Sequence, residues 1–420
     1  MSQSTTSAIK TVKPWGEAVL LANPEGLLVR HLTVAPGQAL SLQSHEHHAE
    51  HWLVLDGTAE IEIDGARSVL GPGELATAAA GTKHRIVNNA SVPLLILEIQ
   101  HGERISEADV RRYSDRYGRP VGSRSIPGRR VLTPPVAVCE IGCNHKGDFA
   151  IALEMIKIAA QFCKVDVVKF QKRNNRELLA PAEYSAPHPN PVNAYGDTYG
   201  AHREFLEFTA DQHRVLKNAC EEWGVVYSTS VWDISSAREV VALDPQLIKI
   251  PSAANTNFPV LDYLCENYRG EIHVSLGMTL RAEEEQIIRL FDRRGRLRDL
   301  VLYHCTSGYP VPEDDLYLLE IPRLITAYGG AIKGIGFSGH HTGIAPDIAA
   351  LTLGATHFER HFTLDRTWKG TDHAASLEPD GMRRLARDLR DVSRALRQKS
   401  GEIAPIEEAQ RKKLKRFVAP

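Results

Sequence analysis

From residue 136 onward the chain repeats one unit eight times: a short apolar, β-branched run and then a helix-length amphipathic segment. The strand candidates are VAVCEI (136–141), VDVVKFQ (165–171), VVYSTS (225–230), LIKI (247–250), IHVSL (272–276), LVLYHC (300–305), IKGIGFS (332–338) and THFERHF (356–362). Helical patterns such as FAIALEMIKIAAQFC and RAEEEQIIRLFDRR come after them. Strands that are apolar at consecutive positions are buried on both faces, as in a parallel sheet covered by helices. Eight such units in roughly 260 residues is the size of a (β/α)8 TIM barrel. A doubly wound open α/β sheet uses the same alternation and stays open as the rival. The stretch 172–210 is too long for a simple βα loop and is expected to cover substrate at the mouth. Residues 383–399 (RRLARDLRDVSRALRQK) have the pattern of a closing amphipathic helix with a solvated charged face.

The first third has another texture. Residues 15–100 are short alternating runs broken by Gly and Pro, including LLVRHLTV, HWLVL, GTAEIEI and LLILEIQ, the pattern of an all-β sandwich or barrel. Between the two textures the chain is rich in Arg, Gly, Ser and Pro and has no apolar period. The expected division is therefore a multidomain one: an all-β domain over 1–118, a linker over 119–134, a barrel over 135–400 and a tail over 401–420.

Charge narrows the function classes. Lys plus Arg number 50 and Asp plus Glu 52, so net charge is −2. With no basic excess, neither nucleic acid nor an anionic membrane is an expected partner. No apolar run is long enough to span a bilayer, and the N-terminal segment lacks the apolar core of a signal peptide. The six Cys form no CxxC pair, as expected of free thiols in the cytoplasm.

Two sets of residues carry chemistry. In GQALSLQSHEHHAEHWLVLDG, Gln43, His45 and Glu50 follow the order Q-x-H-x4-E, and GELATAAAGTKHRIVN adds His84. One strand aims alternate side chains, Gln43 and His45, at one interior point; Glu50 and His84 on later strands can close the set. Two imidazoles, a carboxylate and an amide oxygen suit Zn, Mn, Fe or Ni. Glu46, His47, His48 and His51 are expected at the surface or behind the ligands. These blocks resemble the two cupin motifs, with Gln43 at the usual first His and Ala79 at the usual Pro. The stretch from KPWGEAVLL to YSDRYGR resembles the C-terminal cupin of type II phosphomannose isomerases. That implies a double-stranded β-helix that binds a sugar or isomerises one.

The second set lies at the C-terminal ends of the barrel strands, where barrel active sites sit. Strand by strand these ends give Glu140, Asn144 and His145; Lys169 and Gln171; Thr229; Lys249 and Ser252; Ser275; His304 and Tyr309; His340 and His341; and Glu359, His361, Asp365, Lys369 and Asp372. Two strand-end lysines with nearby hydroxyls make a dianion site. Histidines on adjacent strands, His304 and His340, can hold one divalent ion with positions left for substrate.

CEIGCNHKGD, VKFQK, IKIPSAANTNFP, HCTSGYPVPEDD, GFSGHHTGIA and ERHFTLDRTWKGTDHAASLEP resemble the sialic acid (N-acetylneuraminate) synthase family, in order, over residues 135–400. The resemblance implies condensation of phosphoenolpyruvate with N-acetylmannosamine or its 6-phosphate, with C–O cleavage, Mn or Mg, and a homodimer. It places phosphoenolpyruvate on Lys169, Lys249, Ser252 and Ser275, metal on His304 and His340, and acid/base work on Glu140. Gln171, Thr229 and Tyr309 lie near the substrates, and Asn144, Asp365 and Lys369 complete the expected contacts. Two departures stand out. Ala254 replaces an acid usual after the strand-four Ser, and no antifreeze-like domain with its Arg is expected after the barrel. The rival functions are a cupin isomerase with a degenerate barrel, or a non-enzymatic sugar-binding regulator of polysaccharide synthesis.

Overall fold

The computed structural model describes residues 9–24, 26–103, 105, 109–119, 121 and 132–416. The expected linker 119–134 therefore lies largely outside the described residues. The N-terminal strands are β1 (Ile9–Lys13), β2 (Gly16–Ala22), β3 (Leu27–Val34), β4 (Leu42–His45), β5 (His48–Asp56) and β6 (Ala59–Ile63). They continue as β7 (Ala66–Leu70), β8 (Leu75–Ala78), β9 (His84–Val87), β10 (Leu94–Gly102) and β11 (Val110–Ser114). They form two facing sheets, ordered β1-β2-β3-β10-β5-β8 and β11-β4-β9-β6-β7. The period of two decides what fills the space between them. In β5, His48, Glu50, Trp52 and Val54 turn inward. Trp52, Val54, Leu32, Ile61, Ile86 and Ile96 make the apolar end of that interior, and the imidazoles and Glu50 the polar end.

The second part closes into a barrel of parallel strands: β12 (Val136–Gly142), β13 (Val167–Lys172), β14 (Val226–Val231), β15 (Leu247–Ile250), β16 (Glu271–Ser275), β17 (Leu300–Cys305), β18 (Gly334–Gly339) and β19 (His357–His361). β19 pairs with β12, from Val136↔His357 to Glu140↔His361, which rules out the open sheet. Val136, Val138, Val167, Val226 and Leu247 fill the N-terminal end of the barrel interior. The alternate positions, among them Cys139, Val168, Phe170, Ile248 and Leu302, face the helices and are fully buried. Truncating such a residue to Ala costs about 2–5 kcal/mol. No helix among the described residues is long and apolar enough to cross a membrane.

Two segments outside the barrel wall bear on its mouth. The excursion after β13 carries short helices at Asn175–Leu178, Pro181–Ser185 and Tyr199–Phe205. Its Tyr195 hydroxyl donates to the Lys369 carbonyl, and its Asn193 side chain accepts from Gly370 N–H, so it reaches the loop after β19. The helix Ala210–Trp223 then leads into β14. Thr209 and Gln212 form a capping box at its start, and Gly224 at φ +80° ends it in the left-handed region. The closing helix of the barrel runs Pro379–Ala395 and buries Met382, Leu385, Ala386 and Leu389.

Candidate active site and a second polar cluster

At the mouth end of the barrel, lysines and glutamates alternate around a ring. Lys169 Nζ lies 2.5 Å from Glu140 Oε2 and 3.7 Å from Glu359 Oε1. Lys249 Nζ meets both Glu359 oxygens, at 2.9 and 2.8 Å, and lies 4.2 Å over the Tyr303 ring. The two lysines thus share one carboxylate and are brought together. Burial opposes the charge on Glu359, yet Lys169 and Lys249 hold its carboxyl well below the ordinary range. Burial pushes the Glu140 carboxyl up, with Lys169 pulling the other way and Glu359 pushing with it. Burial likewise pushes Lys249 down. For Lys169 the two carboxylates outweigh burial and the shift is upward. This is a charge-balanced site poised to trade protons or partners when an anion enters.

Neighbouring groups complete the ring. Gln171 donates to Glu140 Oε1 at 3.2 Å, and Ser338 donates to Glu359 Oε1 at 3.2 Å. Ser252 Oγ accepts from Gly277 N–H at 3.0 Å, and Ser275 is buried near it. Lys169 also donates to Ser230 Oγ at 2.9 Å. Thr229, expected here, shares the face of Tyr227, which stacks on Phe170 in the helix-facing layer. Ser230 is the hydroxyl that β14 presents to the lysine; counting alternation outward from Lys169 through the β13–β14 register would have found it.

The expected pairing of His304 with His340 does not form. On β17, Val301, Tyr303 and Cys305 face inward, so His304 turns to the helix layer. Its Nε2 donates to the Leu316 carbonyl at 2.6 Å and its ring stacks on Phe337. His340, just past β18, instead faces His361 at the end of β19, with ring centroids 5.4 Å apart. His340 Nδ1 bonds the Thr306 carbonyl at 3.1 Å, which must accept, so Nε2 keeps its lone pair. His361 Nδ1 is buried without a hydrogen-bond partner and lies 3.9 Å from Asp372. Burial, aided by His361, pushes the His340 ring down to about 3, so it is neutral and available as a donor at ordinary pH. Tyr309 lies 4.3 Å from the His340 ring. His340, His361 and Asp372 thus cluster beside the lysine ring, without the close convergence of ligand atoms found around Glu50.

Other expected contacts serve the scaffold in this structure. Asn144 donates to the Phe362 carbonyl and to Ser376 Oγ, both at 2.9 Å, tying the first loop to the last. Asp365 accepts from Thr367 N–H at 2.8 Å and so closes its own turn. Lys369 is exposed, with its ammonium over the Tyr195 ring.

The interior of the N-terminal domain holds the second cluster. His45 Nε2 lies 3.0 Å from Glu50 Oε1, and His84 Nε2 3.3 Å from Glu50 Oε2. His84 Nδ1 bonds the Thr82 carbonyl at 2.9 Å, leaving Nε2 as the lone-pair nitrogen. Neither that nitrogen nor Glu50 Oε2 has a hydrogen-bond partner, so a cation fits between them. Burial raises the Glu50 carboxyl, but His45 and His84 together bring it well below its ordinary range. Gln43 turns its Nε2 toward His45 at 3.2 Å and its Oε1 toward Ser41, so it ligates through oxygen only after an amide flip. His48, expected behind the ligands, is buried against His45 at 4.1 Å between centroids and bonds Asp109 at 3.0 Å. Gln100, which no motif marked, donates to Glu50 Oε1 at 2.6 Å.

Comparison with known proteins assigns the two halves separately. Residues 155–401 match the model of the NeuB family, and residues 2–115 match that of the mannose-6-phosphate isomerase C-terminal domain. Human N-acetylneuraminate-9-phosphate synthase is 36% identical over 309 residues, 71% of this chain and 82% of that protein. N,N'-diacetyllegionaminic acid synthase of Campylobacter jejuni is 30% identical over 260 residues, 62% and 76% respectively. Among solved structures, the N-acetylneuraminic acid synthetase of Leptospira borgpetersenii superimposes with a TM-score of 0.58 at 25% identity. It covers 70% of this chain and 98% of its own.

Proposed function

The chain belongs to the NeuB family, and on that premise we propose that its barrel condenses phosphoenolpyruvate with an N-acylmannosamine-type aldose or its 6-phosphate. The products are a nonulosonic or related 2-keto-3-deoxy acid and phosphate. The observation that carries this reading is the ring in which Lys169 and Lys249 share Glu359 beside His340 and His361. An enol phosphate displaces part of that ion pairing: its phosphate oxygens take the ammonium groups and the hydroxyls of Ser230, Ser252 and Ser275. His340 and His361 would be the groups to hold a divalent cation, Mn or Mg, which would supply Lewis-acid polarisation of the aldehyde.

The chain's own groups do the rest. The lysine ring holds the enolpyruvate so that its C3 faces the aldehyde carbon, which removes much of the entropic barrier. As the C–C bond forms, positive charge grows at C2, and water adds there. Glu140, its carboxyl pushed up by burial, takes one proton of that water and returns it to the alkoxide left on the former aldehyde oxygen, while the other leaves with the phosphate as the C2 hydroxyl becomes the ketone. The tetrahedral adduct then breaks its C–O bond, and the lysines neutralise the departing phosphate. The excursion 173–209, tied to the loop after β19, excludes bulk water. Ala254 offers no carboxyl, so acid/base work falls to Glu140. The proposal extends to a homodimer in the cytoplasm; the six free thiols accord with a reducing compartment. Phosphate release from phosphoenolpyruvate, measured with added Mn across a panel of aldoses, tests it. No release with any sugar from folded, metal-loaded protein contradicts it.

The cupin cluster favours a second activity, aldose–ketose interconversion at a Zn, Mn, Fe or Ni ion held by His45, Glu50 and His84. Loss of such interconversion in His45→Ala, with phosphoenolpyruvate use unchanged, supports it; no interconversion by the metal-loaded parent refutes it.

A further inference from the structure

The lysine ring occupies the C-terminal end of the barrel interior. Toward the N-terminal end, where Val136, Val138, Val167, Val226 and Leu247 fill the space, three ligand-type side chains converge: Glu271 and His273 of β16 and His357 of β19. The period of two explains their direction. His273 lies two residues before Ser275, and His357 two before Glu359, so both imidazoles point inward one layer below the active-site groups. Ile272, Val274 and Phe358 between them face the helices. His273 is 1% exposed and His357 4%, while Glu271 at the rim is partly exposed. One donor atom from each of the three lies within 4.8 Å of the other two. His273 Nε2 and Glu271 Oε2 are 3.3 Å apart, as two ligands about 2.0–2.1 Å from one tetrahedral ion must be.

The groups behind these donors are those a metal site needs. Thr356 Oγ1 donates to the Ile335 carbonyl at 2.9 Å, so toward His357 Nδ1, also at 2.9 Å, it can only accept. The proton of that ring is therefore on Nδ1. Nε2 carries the lone pair and has no hydrogen-bond partner among the described residues. His273 Nδ1 meets the Tyr303 hydroxyl at 2.9 Å, and a hydroxyl serves as donor or acceptor, so that ring can hold its proton on either nitrogen. Lys333 Nζ stands 3.4 Å from Glu271 Oε1 and leaves Oε2 to the imidazole. Each donor thus has one atom in the cluster and another held from outside. Glu271 and His273 alone would make an ordinary buried pair; a second imidazole with a free lone pair is what such a pair does not need.

We propose that Glu271, His273 and His357 form a metal site at the N-terminal end of the barrel, which takes Zn, or Co or Ni in its place, through Nε2 of each imidazole and one carboxylate oxygen. A fourth position is left for water. Two nitrogens and a single carboxylate select such ions over Mg and Ca, which need mostly oxygen. When the ion takes Nε2 of His273, the proton of that ring sits on Nδ1 and the Tyr303 hydroxyl accepts it. The site is structural. β16 and β19 are separated by β17 and β18 in the barrel, and the ion ties them across the interior at the end whose residues serve stability. Glu271, partly exposed, and Lys333, exposed, mark the way in. The inference is independent of the proposed condensation.

Titration of the full chain with Zn, in competition with a chromophoric chelator, tests the site. A His45→Ala, His361→Ala background keeps the imidazole clusters of the N-terminal domain and of the barrel mouth from contributing. One equivalent of Zn should remain bound, and the melting temperature should rise with it. His357→Ala should weaken the Kd at least a hundredfold, and Glu271→Gln at least tenfold. Thr356→Val keeps all three donors but removes the acceptor behind His357, and should weaken binding by about tenfold. Glu271 and Thr356 are partly exposed, so these two variants keep the test open if His357→Ala unfolds, as judged by circular dichroism. Excess Mg should not displace the Zn. No stoichiometric Zn in the folded background chain, or equal affinity across the three variants, overturns the site. Displacement of Zn by Mg overturns the metal class.

Discussion

Lys249 shows how one residue ties the stability of the barrel to its chemistry. Its ammonium is 1% exposed and held by both oxygens of Glu359. Lys249→Ala should lower kcat by about 10²–10³-fold, the scale seen when one group that stabilises developing charge is removed. The same change leaves Glu359 with Lys169 alone, so the melting temperature should also fall; Lys249→Met should restore packing without restoring turnover. His47→Ala, in the N-terminal domain, should leave phosphate release unchanged. His361 and His304 make a second contrast. His361→Ala should abolish tight Mn binding to the barrel, measured by electron paramagnetic resonance. His304→Ala should keep that binding and lose stability, because it orphans the Leu316 carbonyl. These residues also mark what the sequence could and could not tell. Glu140, Lys169, Gln171 and Lys249 were legible because they sit at inward positions of strands whose apolar pattern set the phase. His304 and Thr229 misled because each lies one residue out of phase with an inward neighbour. His361 was visible in ERHF, but only the β18–β19 juxtaposition made it the partner of His340.

Among the elements, the eight barrel strands were legible to within a residue or two, since a doubly buried parallel strand is apolar along its whole length. What the sequence left open was whether the sheet closes, because that depends on the pairing of β19 with β12 rather than on either strand alone. The helix Ala210–Trp223 carries a prediction of its own. Its His213 bonds the Tyr227 hydroxyl at 2.7 Å on β14, and burial pushes the ring down to about 3. His145, stacked on Phe208, is pushed down to about 3 for the same reason. Unfolded, such rings take up protons as pH falls below about 6.5, while the native barrel does not accept them until about pH 3. Stability therefore declines as pH falls from about 6.5 toward 3, by about 1.4 kcal/mol per pH unit for each such ring. Urea midpoints at pH 7 and pH 5 should show that loss. His213→Gln should flatten the dependence; an unchanged slope in that variant would show that the ring is not its source.

The whole molecule sets two polar sites into two domains whose shared boundary includes the charges around Glu222. The motifs pointed to residues of each candidate cluster, since each cluster is built from side chains close in one domain's own strand order. The contact between domains was not legible: Lys13, Arg119 and Glu222 belong to no motif, and only the fold brings them together. If the sites are chemically independent, His84→Ala should remove the cupin's metal, measured by elemental analysis, while phosphate release at saturating phosphoenolpyruvate stays within about twofold of the parent. Above all, the barrel is held to join an enolpyruvate to an aldose and to break the C–O bond. That chemistry is tested most directly with phosphoenolpyruvate labelled with heavy oxygen at the bridge between C2 and phosphorus. The label should leave entirely in inorganic phosphate, in step with one equivalent of a 2-keto-3-deoxy acid. Label retained in the organic product, or phosphate released without any new C–C bond, would contradict it.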